Sequence, residues 1–369
     1  MTRGFSVWLD VLRIVATLAV VLSHLACARF TNGDLQLLRD WNIGSDAVIV
    51  FFVVSGLVIA YAAGRDGNGS TFAFHRLTRL WSVILPALLL TYALDFTGYG
   101  IRAEAYPPTF FHAHPFETLM IRGMTFSNEF LLFDRLRLGT NGPLWSLSYE
   151  AVYYALFGVA LFLRGLPRIL LICAIVLIAG INILLLMPAW LMGVWVWQRV
   201  AAGNFMPSSF GIALLCAVAG PSLYIVLNAV GLPGYFREVT AMVLGVSDAR
   251  HAVGFSDEFI WNAMIGGMTV LHLYGMAFLV AQLSSAGKAV KWAAGASFSI
   301  YVTHYPALHF LDAVLPEPMP GRYVALFVGA LLVGLVFAEL FERRLPAIRA
   351  VCRRVVGIGP SVASAQARR

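Results

Sequence analysis

The feature that most constrains this chain is the recurrence of apolar stretches about 20 residues long along its whole length. Each stretch is long enough to cross roughly 30 Å of hydrocarbon as an α-helix. The stretches are continuous and do not alternate between apolar and polar residues, which favours helices over a barrel. Of the 369 residues, 60% are hydrophobic and only 12% are charged. Because a soluble fold does not hide that much apolar surface, the sequence predicts an all-α, polytopic bundle of transmembrane helices.

Ten segments fit as membrane spans. They are residues 6–27, 43–63, 79–98, 145–163, 168–185, 186–199, 207–229, 261–283, 295–314 and 322–341. Whether residues 186–199 form a full span stays open, since this segment is short and contains Pro188. Basic residues concentrate on the side that an even number of spans gives to both ends of the chain. The positive-inside rule therefore predicts both termini in the cytoplasm of a multi-pass protein in a bacterial inner membrane.

Charge and cysteine content exclude other classes. The net charge of +7 comes from basic residues spread thinly between apolar spans, without the basic, aromatic-lined groove that binds nucleic acid. The four cysteines have neither the spacing of a disulfide framework nor that of a zinc site. We expect an integral-membrane domain over residues 1–345 and a basic, disordered cytoplasmic tail over residues 346–369.

The first span contains three ionisable residues, Asp10, Arg13 and His24. Such residues are costly inside a membrane and usually face a cavity or a partner. Arg13 and His24 are eleven residues apart, which places them on one helix face roughly 16 Å apart. Taken singly, Arg13 could be a snorkelling anchor, His24 an interfacial histidine and Asp10 the partner of Arg13. Their shared face favours a functional interpretation.

The fourth span begins with Trp-Ser-Leu-Ser-Tyr-Glu, which ends at Glu150. This position predicts Glu150 at a depth close to that of His24, on a helix that runs the opposite way. A carboxylate beside an imidazole can fix its tautomer and stabilise the imidazolium, so that the histidine acts as a general base. A structural hydrogen bond to the region of Ser146 or Tyr149 is the alternative.

Further polar residues lie at other spans. Arg76 and Arg79 stand at the cytoplasmic start of the third span, where both guanidinium groups can reach one anion. They could equally be positive-inside anchors. His304 is predicted near mid-membrane in the ninth span, as a structural or a functional histidine, whereas we favour a structural role for His272 in the eighth.

Together these motifs resemble those of the acyltransferase family 3 membrane proteins, along essentially the whole chain. The spacing from Arg13 to His24 is similar to the arginine, ten residues, histidine signature that the family uses for catalysis. The other matching segments are Gly44 to Gly56 with its Phe-Phe and Ser-Gly pairs, the paired Arg76 and Arg79, Trp145 to Glu150, and Ser297 to Pro306. In the last segment, Phe298 and Val302 replace the tyrosine and leucine of the family pattern.

The resemblance implies an O-acyltransferase of the O-acetyltransferase type, one that transfers groups other than aminoacyl groups. It would move an acyl group, most often acetyl, from acyl-CoA to hydroxyls of a cell-surface or exported carbohydrate. Acyl-CoA would be a co-substrate, and neither a tightly bound cofactor nor a metal is expected. The family often has a fused extracytoplasmic esterase-like domain. We expect none here, which leaves acceptor choice to external loops or to a separate extracytoplasmic partner.

The resemblance also assigns roles to residues. CoA phosphates would lie near Arg76 and Arg79, with Arg13 deeper in. His24 would deprotonate the acceptor or carry the acyl group, and Glu150 would orient it. Further hydrogen bonds to the oxyanion would come from supporting polar groups. These groups are Ser146, Ser148 and Tyr301, and Asp10 and His304 are further supporting residues of the site.

An exporter or flippase of a polysaccharide or lipid-linked sugar is the alternative function. It would also be polytopic with buried charges, but it should show internal repeats, which the sequence lacks. A glycosyl- or prenyl-transferase should show clustered acidic metal-binding motifs, which are also lacking. The acceptor, the acyl-chain length, direct transfer versus an acyl-histidine intermediate, and the oligomeric state stay open at this point.

Overall fold

In the computed structural model, the described residues are 1–281 and 287–356, and within them the chain is helical without β-strands. The α-helices are α1 (Arg3–Leu25), α2 (Ala28–Thr31), α3 (Gln36–Asp40), α4 (Ile43–Asp66), α5 (Gly69–Ile101), α6 (Phe116–Met124), α7 (Trp145–Phe162), α8 (Gly165–Ala179), α9 (Ile181–Leu185), α10 (Met187–Ala201), α11 (Phe210–Ala229), α12 (Leu232–Leu244), α13 (Ala249–Val253), α14 (Phe259–Leu279), α15 (Gly287–Ala294), α16 (Ser297–Val314), α17 (Arg322–Leu340) and α18 (Leu345–Val356). The prediction of an all-α fold is confirmed.

Six helical segments are long and apolar enough to cross a membrane. They are Arg3–Leu25, Ile43–Asp66, Gly69–Ile101, Phe210–Ala229, Ala249–Leu279 and Arg322–Val355. The described part of each of the ten predicted spans is mostly helical, and residues 282 and 283 of the span 261–283 lie outside the described residues. The total of ten spans, and the side of the membrane on which the termini lie, stay predictions.

Two segments differ from the predicted span boundaries for local reasons. Segment 168–185 divides at Gly180, whose φ of 92° ends α8 before α9 begins. Helix α5 begins at Gly69 rather than at residue 79, because the Asn68 side chain caps it by accepting a 2.8 Å hydrogen bond from the backbone N–H of Thr71. The capped start brings Arg76 and Arg79 onto the helix itself.

The expected disordered tail also differs in its first part. Residues 345–356 form α18, and two of its basic side chains bond to α5. Its alternation of apolar and basic residues at helical spacing explains why it is ordered as a surface helix. Residues 357–369 of the predicted tail lie outside the described residues.

The chain divides into two compact units, and each is described by itself. The first unit comprises Met1–Ala16, Ser45–Arg65 and Val176–Ala294. Its helices pack at glycine contacts: a Cβ on Gly56 of α4 would lie 2.0 Å from the carbonyl oxygen of Trp190, and one on Gly193 of α10 would lie 1.9 Å from that of Val53. Such close backbone approach is typical of helix pairs in membranes.

The second unit comprises Thr17–Gly44, Asp66–Ile175 and Gly295–Arg369. Helix α16 is its centre and is buried over most of its length, packed against α5 and α17. The end of α16 is fixed by charge, because Asp312 pairs with Arg29 at 3.1 Å, Arg102 at 3.4 Å and Arg322 at 2.5 Å. A buried carboxylate held by three guanidinium groups is compensated, and it anchors the helix at this end.

Candidate active site

Two histidines of the second unit form a pair. The Nδ1 atom of His24, on the last turn of α1, lies 3.0 Å from the Nε2 atom of His304 on α16. The ring of Tyr305 lies against His24, with 4.5 Å between the ring centroids. His304 is fully buried, whereas His24 is half-buried. The structure therefore brings together two of the predicted site residues. Of the two rings, that of His24 is partly exposed.

Backbone carbonyls fix the proton positions of this pair. The Nδ1 atom of His304 lies 3.0 Å from the carbonyl oxygen of Ile300, and that of His24 lies 3.0 Å from the carbonyl oxygen of Val20. A carbonyl only accepts hydrogen bonds, so we assign a proton to each Nδ1. His304 then accepts at Nε2 from His24, and the Nε2 lone pair of His24 has no hydrogen-bond partner among residues 1–281 and 287–356. That lone pair is the arrangement that a general base needs.

Buried polar residues hold the start of α7 against α16. The side-chain amide of Asn141 donates to the hydroxyl of Thr91 at 2.9 Å and to the carbonyl of Val302 at 2.8 Å. The Tyr301 hydroxyl lies 2.7 Å from that of Ser146 and donates to the Pro143 carbonyl at 2.8 Å. These bonds fix the turn that precedes α7 beside the histidine pair.

The predicted oxyanion donors are engaged within the protein. Tyr301 donates to Pro143, and the Ser148 hydroxyl donates to the side-chain oxygen of Asn128 at 2.7 Å. Donors that are already satisfied locally favour a structural role. The oxyanion role of Ser146, Ser148 and Tyr301 therefore gains no support from this geometry and stays a prediction.

Glu150 lies one turn into α7, where its carboxylate accepts a hydrogen bond from the Tyr154 hydroxyl. It is within electrostatic range of both Tyr301 and Arg76. The pairing of Glu150 with His24 stays a prediction, whereas the side chain that hydrogen-bonds to the His24 imidazole is that of His304.

Four arginines, Asp66 and His75 form a charged cluster at the start of α5. Asp66 bonds to the Nδ1 atom of His75 at 2.6 Å and lies 3.6 Å from Arg76. Arg349 donates to the carbonyl of His75 at 2.8 Å, and Arg353 lies 2.9 Å from the His75 Nε2 atom. Arg76, Arg79 and Arg353 lie within electrostatic range of Arg349. The cluster carries more positive charge than Asp66 compensates, which suits a polyanion.

Sequence reasoning missed Arg349 and Arg353, because it assigned them to a disordered tail. Their spacing of four residues in a segment with alternating apolar and basic positions was the signal that could have found them. The spacing places both guanidinium groups on one face of α18. That face of α18 contacts the backbone carbonyl and the imidazole of His75.

Arg13 and Asp10 belong to the first unit, where they form an ion pair at 3.7 Å. This is the partnership that their spacing of three residues indicated. Also in the first unit, His272 has both ring nitrogens occupied: Nδ1 lies 2.7 Å from the Ala217 carbonyl, and Nε2 accepts from the Trp8 indole at 3.2 Å. These contacts agree with the structural role predicted for His272.

Metal ligands are not grouped in the part of the chain that the structure describes. No set of three or more His, Cys, Asp or Glu side chains there is arranged to hold a metal ion.

The apolar helices are those of a multi-pass membrane protein, and its second unit contains a buried histidine pair and a cluster of arginines. The family model of the acyltransferase domain, acyltransferase family 3, matches residues 6–339, and the chain belongs to this family.

Two curated relatives are similar over part of the chain. An O-acetyl transferase of Shigella phage Sf6 is 29% identical over 154 residues, which are 41% of this chain and 44% of the relative. The acyltransferase MdmB of Streptomyces mycarofaciens is 31% identical over 150 residues, which are 40% of this chain and 36% of the relative. The matches thus span less than half the length of each relative. No solved structure gives a significant match.

Proposed function

We propose that the protein is an acyl-CoA-dependent O-acyltransferase of a bacterial inner membrane. It transfers an acyl group, acetyl in the simplest case, to a hydroxyl of a cell-surface or exported carbohydrate. The observation that carries the proposal is the His24–His304 pair, which leaves the Nε2 lone pair of His24 available. Membership of the acyltransferase family and the similarity to an O-acetyl transferase support the same activity and acyl group.

The donor would bind through its charged end. Acyl-CoA carries phosphates, and the surplus of guanidinium groups around Asp66 offers both charge and hydrogen-bond donors to them. Arg76 and Arg79 keep their predicted role, and Arg349 and Arg353 join them. Arg13 stays a predicted second cation for the donor. Acyl-CoA is consumed as a co-substrate.

Transfer would proceed by general base catalysis at His24. Nε2 takes the proton of the acceptor hydroxyl as its oxygen attacks the thioester carbonyl carbon, and the carbon–sulfur bond breaks. The imidazolium then returns the proton to the CoA thiolate. His304 acts as a positioning residue, because its Nε2 atom accepts from His24 Nδ1 and stabilises the imidazolium. An acyl-histidine intermediate would use the same nitrogen as the nucleophile.

The test is acyl transfer from radiolabelled acetyl-CoA by purified protein in nanodiscs, with wild type compared with His24→Ala. We expect labelled carbohydrate or labelled protein with the wild type and none with the variant. His272→Gln is the matched control, since it alters a histidine whose ring is engaged in packing. Absence of acyl-CoA binding, together with normal polymer export by the variant in cells, would overturn the proposal in favour of an exporter.

A further inference from the structure

Two arginines of the second unit stand beside His24 without a carboxylate partner. Arg39 donates at 3.4 Å to the carbonyl of Ser23, the residue before His24. Arg137 donates at 3.2 Å to the carbonyl of Phe110. Both side chains are half-buried, and among residues 1–281 and 287–356 neither forms an ion pair. A guanidinium group that is partly desolvated and uncompensated favours an anion.

Arg137 reaches the immediate surroundings of the histidine pair. A Cβ on Gly142 would lie 3.7 Å from the guanidinium carbon of Arg137 and 3.8 Å from the ring of Tyr305. Tyr305 in turn lies against His24. Both Arg39 and Arg137 are within electrostatic range of His24 and of Tyr305. The two charges therefore lie in the surroundings of His24, the residue that the acceptor hydroxyl approaches on the proposed function.

The neighbouring Arg29 is an arginine with a structural role and serves as a comparison for Arg137. The ring of Phe110 lies between two guanidinium groups, 5.7 Å from that of Arg29 and 5.9 Å from that of Arg137. Arg29 pairs with Asp312 at 3.1 Å, a carboxylate that Arg102 and Arg322 share, whereas Arg137 forms no ion pair within residues 1–281 and 287–356. Arg29 therefore anchors α16, whereas the charge of Arg137 is available to a ligand.

The donor's phosphates do not account for these charges. Arg76 and Thr91 are fifteen residues apart on α5, which corresponds to roughly 22 Å along the helix axis. Thr91 bonds to Asn141, the residue before Gly142, so Arg137 lies at the opposite end of α5 from the Asp66 cluster. Two separate positive regions in one unit suit two separate anions.

We infer that Arg39 and Arg137 bind an anionic group, a carboxylate or a phosphate, carried by the carbohydrate acceptor next to the hydroxyl that is acylated. The inference rests on the proposed function and narrows it to an acidic acceptor. Arg137, beside the Phe110 ring, pairs charge with an aromatic surface on which a sugar ring can pack. The same chemistry would also suit the free carboxylate of a dicarboxylic acyl group, and the experiment separates the two sources.

The experiment measures binding and acyl transfer by the full chain in nanodiscs. The probes are a glucuronic acid tetrasaccharide and a glucose tetrasaccharide, each with acetyl-CoA or succinyl-CoA. We expect the wild type to bind and acetylate the acidic probe about 10-fold better than the neutral one, and Arg137→Gln and Arg39→Gln to lose this preference. Arg137→Lys should retain part of it, because the charge stays.

Arg250→Gln is the matched control, since Arg250 is already paired with Asp257 at 2.9 Å. It should keep the preference of the wild type. Equal binding of both probes by the wild type, or an unchanged preference in the Arg39→Gln, Arg137→Gln double variant, overturns the inference. A preference for succinyl-CoA that does not depend on the acceptor's charge also overturns it, because the anion then belongs to the acyl group.

The proposed function is tested separately on the same samples. The measurement is the consumption of acetyl-CoA and its dependence on His24. If acetyl-CoA is consumed but the probes do not differ, only the acidic acceptor fails. If acetyl-CoA is not consumed, the proposed function fails, and the binding data still decide whether the arginines select an anion. Size-exclusion profiles of each variant in nanodiscs confirm that a lost preference does not reflect misfolding.

Discussion

The histidines of the two units differ in how many of their ring nitrogens are engaged in hydrogen bonds. In the first unit, both nitrogens of His272 are used by Trp8 and Ala217. In the second unit, His24 and His304 satisfy each other and two carbonyls, and one nitrogen of His24 stays available. Burial alone does not distinguish a structural from a reactive histidine, because all three lie in apolar helices. The number of ring nitrogens that are engaged in hydrogen bonds does distinguish them. Variants of the three histidines test this distinction.

The largest expected effect belongs to His24→Ala. Removal of a general base should lower the rate of acetyl transfer about 10²- to 10⁴-fold, which is the usual contribution of such a group. Single-turnover transfer from acetyl-CoA in nanodiscs measures it, with equilibrium binding of acetyl-CoA as the control that should stay normal. A variant with more than a tenth of the wild-type rate would show that His24 is not the base.

His304→Leu removes the acceptor for His24 Nδ1 and should lower kcat about 10- to 100-fold with little change in KM, as loss of an orienting partner does. His304→Gln keeps an oxygen that can accept and should recover part of the rate. The double variant with His24→Ala should be no slower than His24→Ala alone, because the two residues act as one unit. Equal losses in the Leu and Gln variants would point to a packing role for His304.

Arg349→Gln extends the comparison from histidines to arginines. It removes a charged hydrogen-bond donor from the Asp66 cluster and should raise KM for acetyl-CoA about 10-fold, equivalent to about 1.4 kcal/mol. Arg343→Gln is the control, since Arg343 pairs with Glu339 at 2.9 Å. Steady-state kinetics with varied acetyl-CoA measure both. An unchanged KM in Arg349→Gln would exclude α18 from the donor site.

The smallest effect on activity is expected for His272→Gln, at less than about two-fold. Its cost should appear in stability instead, at about 1 kcal/mol, because Trp8 or Ala217 loses its hydrogen bond. Thermal unfolding in detergent, alongside the acetyl-transfer rate, separates the two effects. A large loss of rate with normal stability would contradict the distinction between the two units.

The sequence was sufficient for the helices, because each apolar run is a local property of the chain. It also singled out His24, Arg76 and Arg79 by their position in apolar surroundings. It could not show that His304 is the residue in contact with His24, since the two are 280 positions apart and the pairing depends on how α1 and α16 pack. From the sequence, the expected partner of His24 was a carboxylate, that of Glu150.

The arginines of the site were harder to find for a different reason. Arg349 and Arg353 follow the last apolar run, where composition predicts disorder, and their role depends on a tertiary contact with α5. Arg39 and Arg137 lie in connecting segments, whose conformation the apolar pattern does not constrain. In each case charge was visible in the sequence, but the absence of a compensating carboxylate could be read only from the structure.

The position of α18 has a consequence for how gene variants of this protein should be interpreted. A premature stop after codon 345 would leave all ten predicted spans, including residues 322–341, and both His24 and His304 encoded, yet it would delete Arg349 and Arg353 with the end of the helical segment Arg322–Val355. On the proposed function, such an allele makes a protein that inserts and folds but captures its donor weakly. It would be scored as harmless by any survey that counts membrane segments, while raised cytoplasmic acetyl-CoA would partly restore its phenotype.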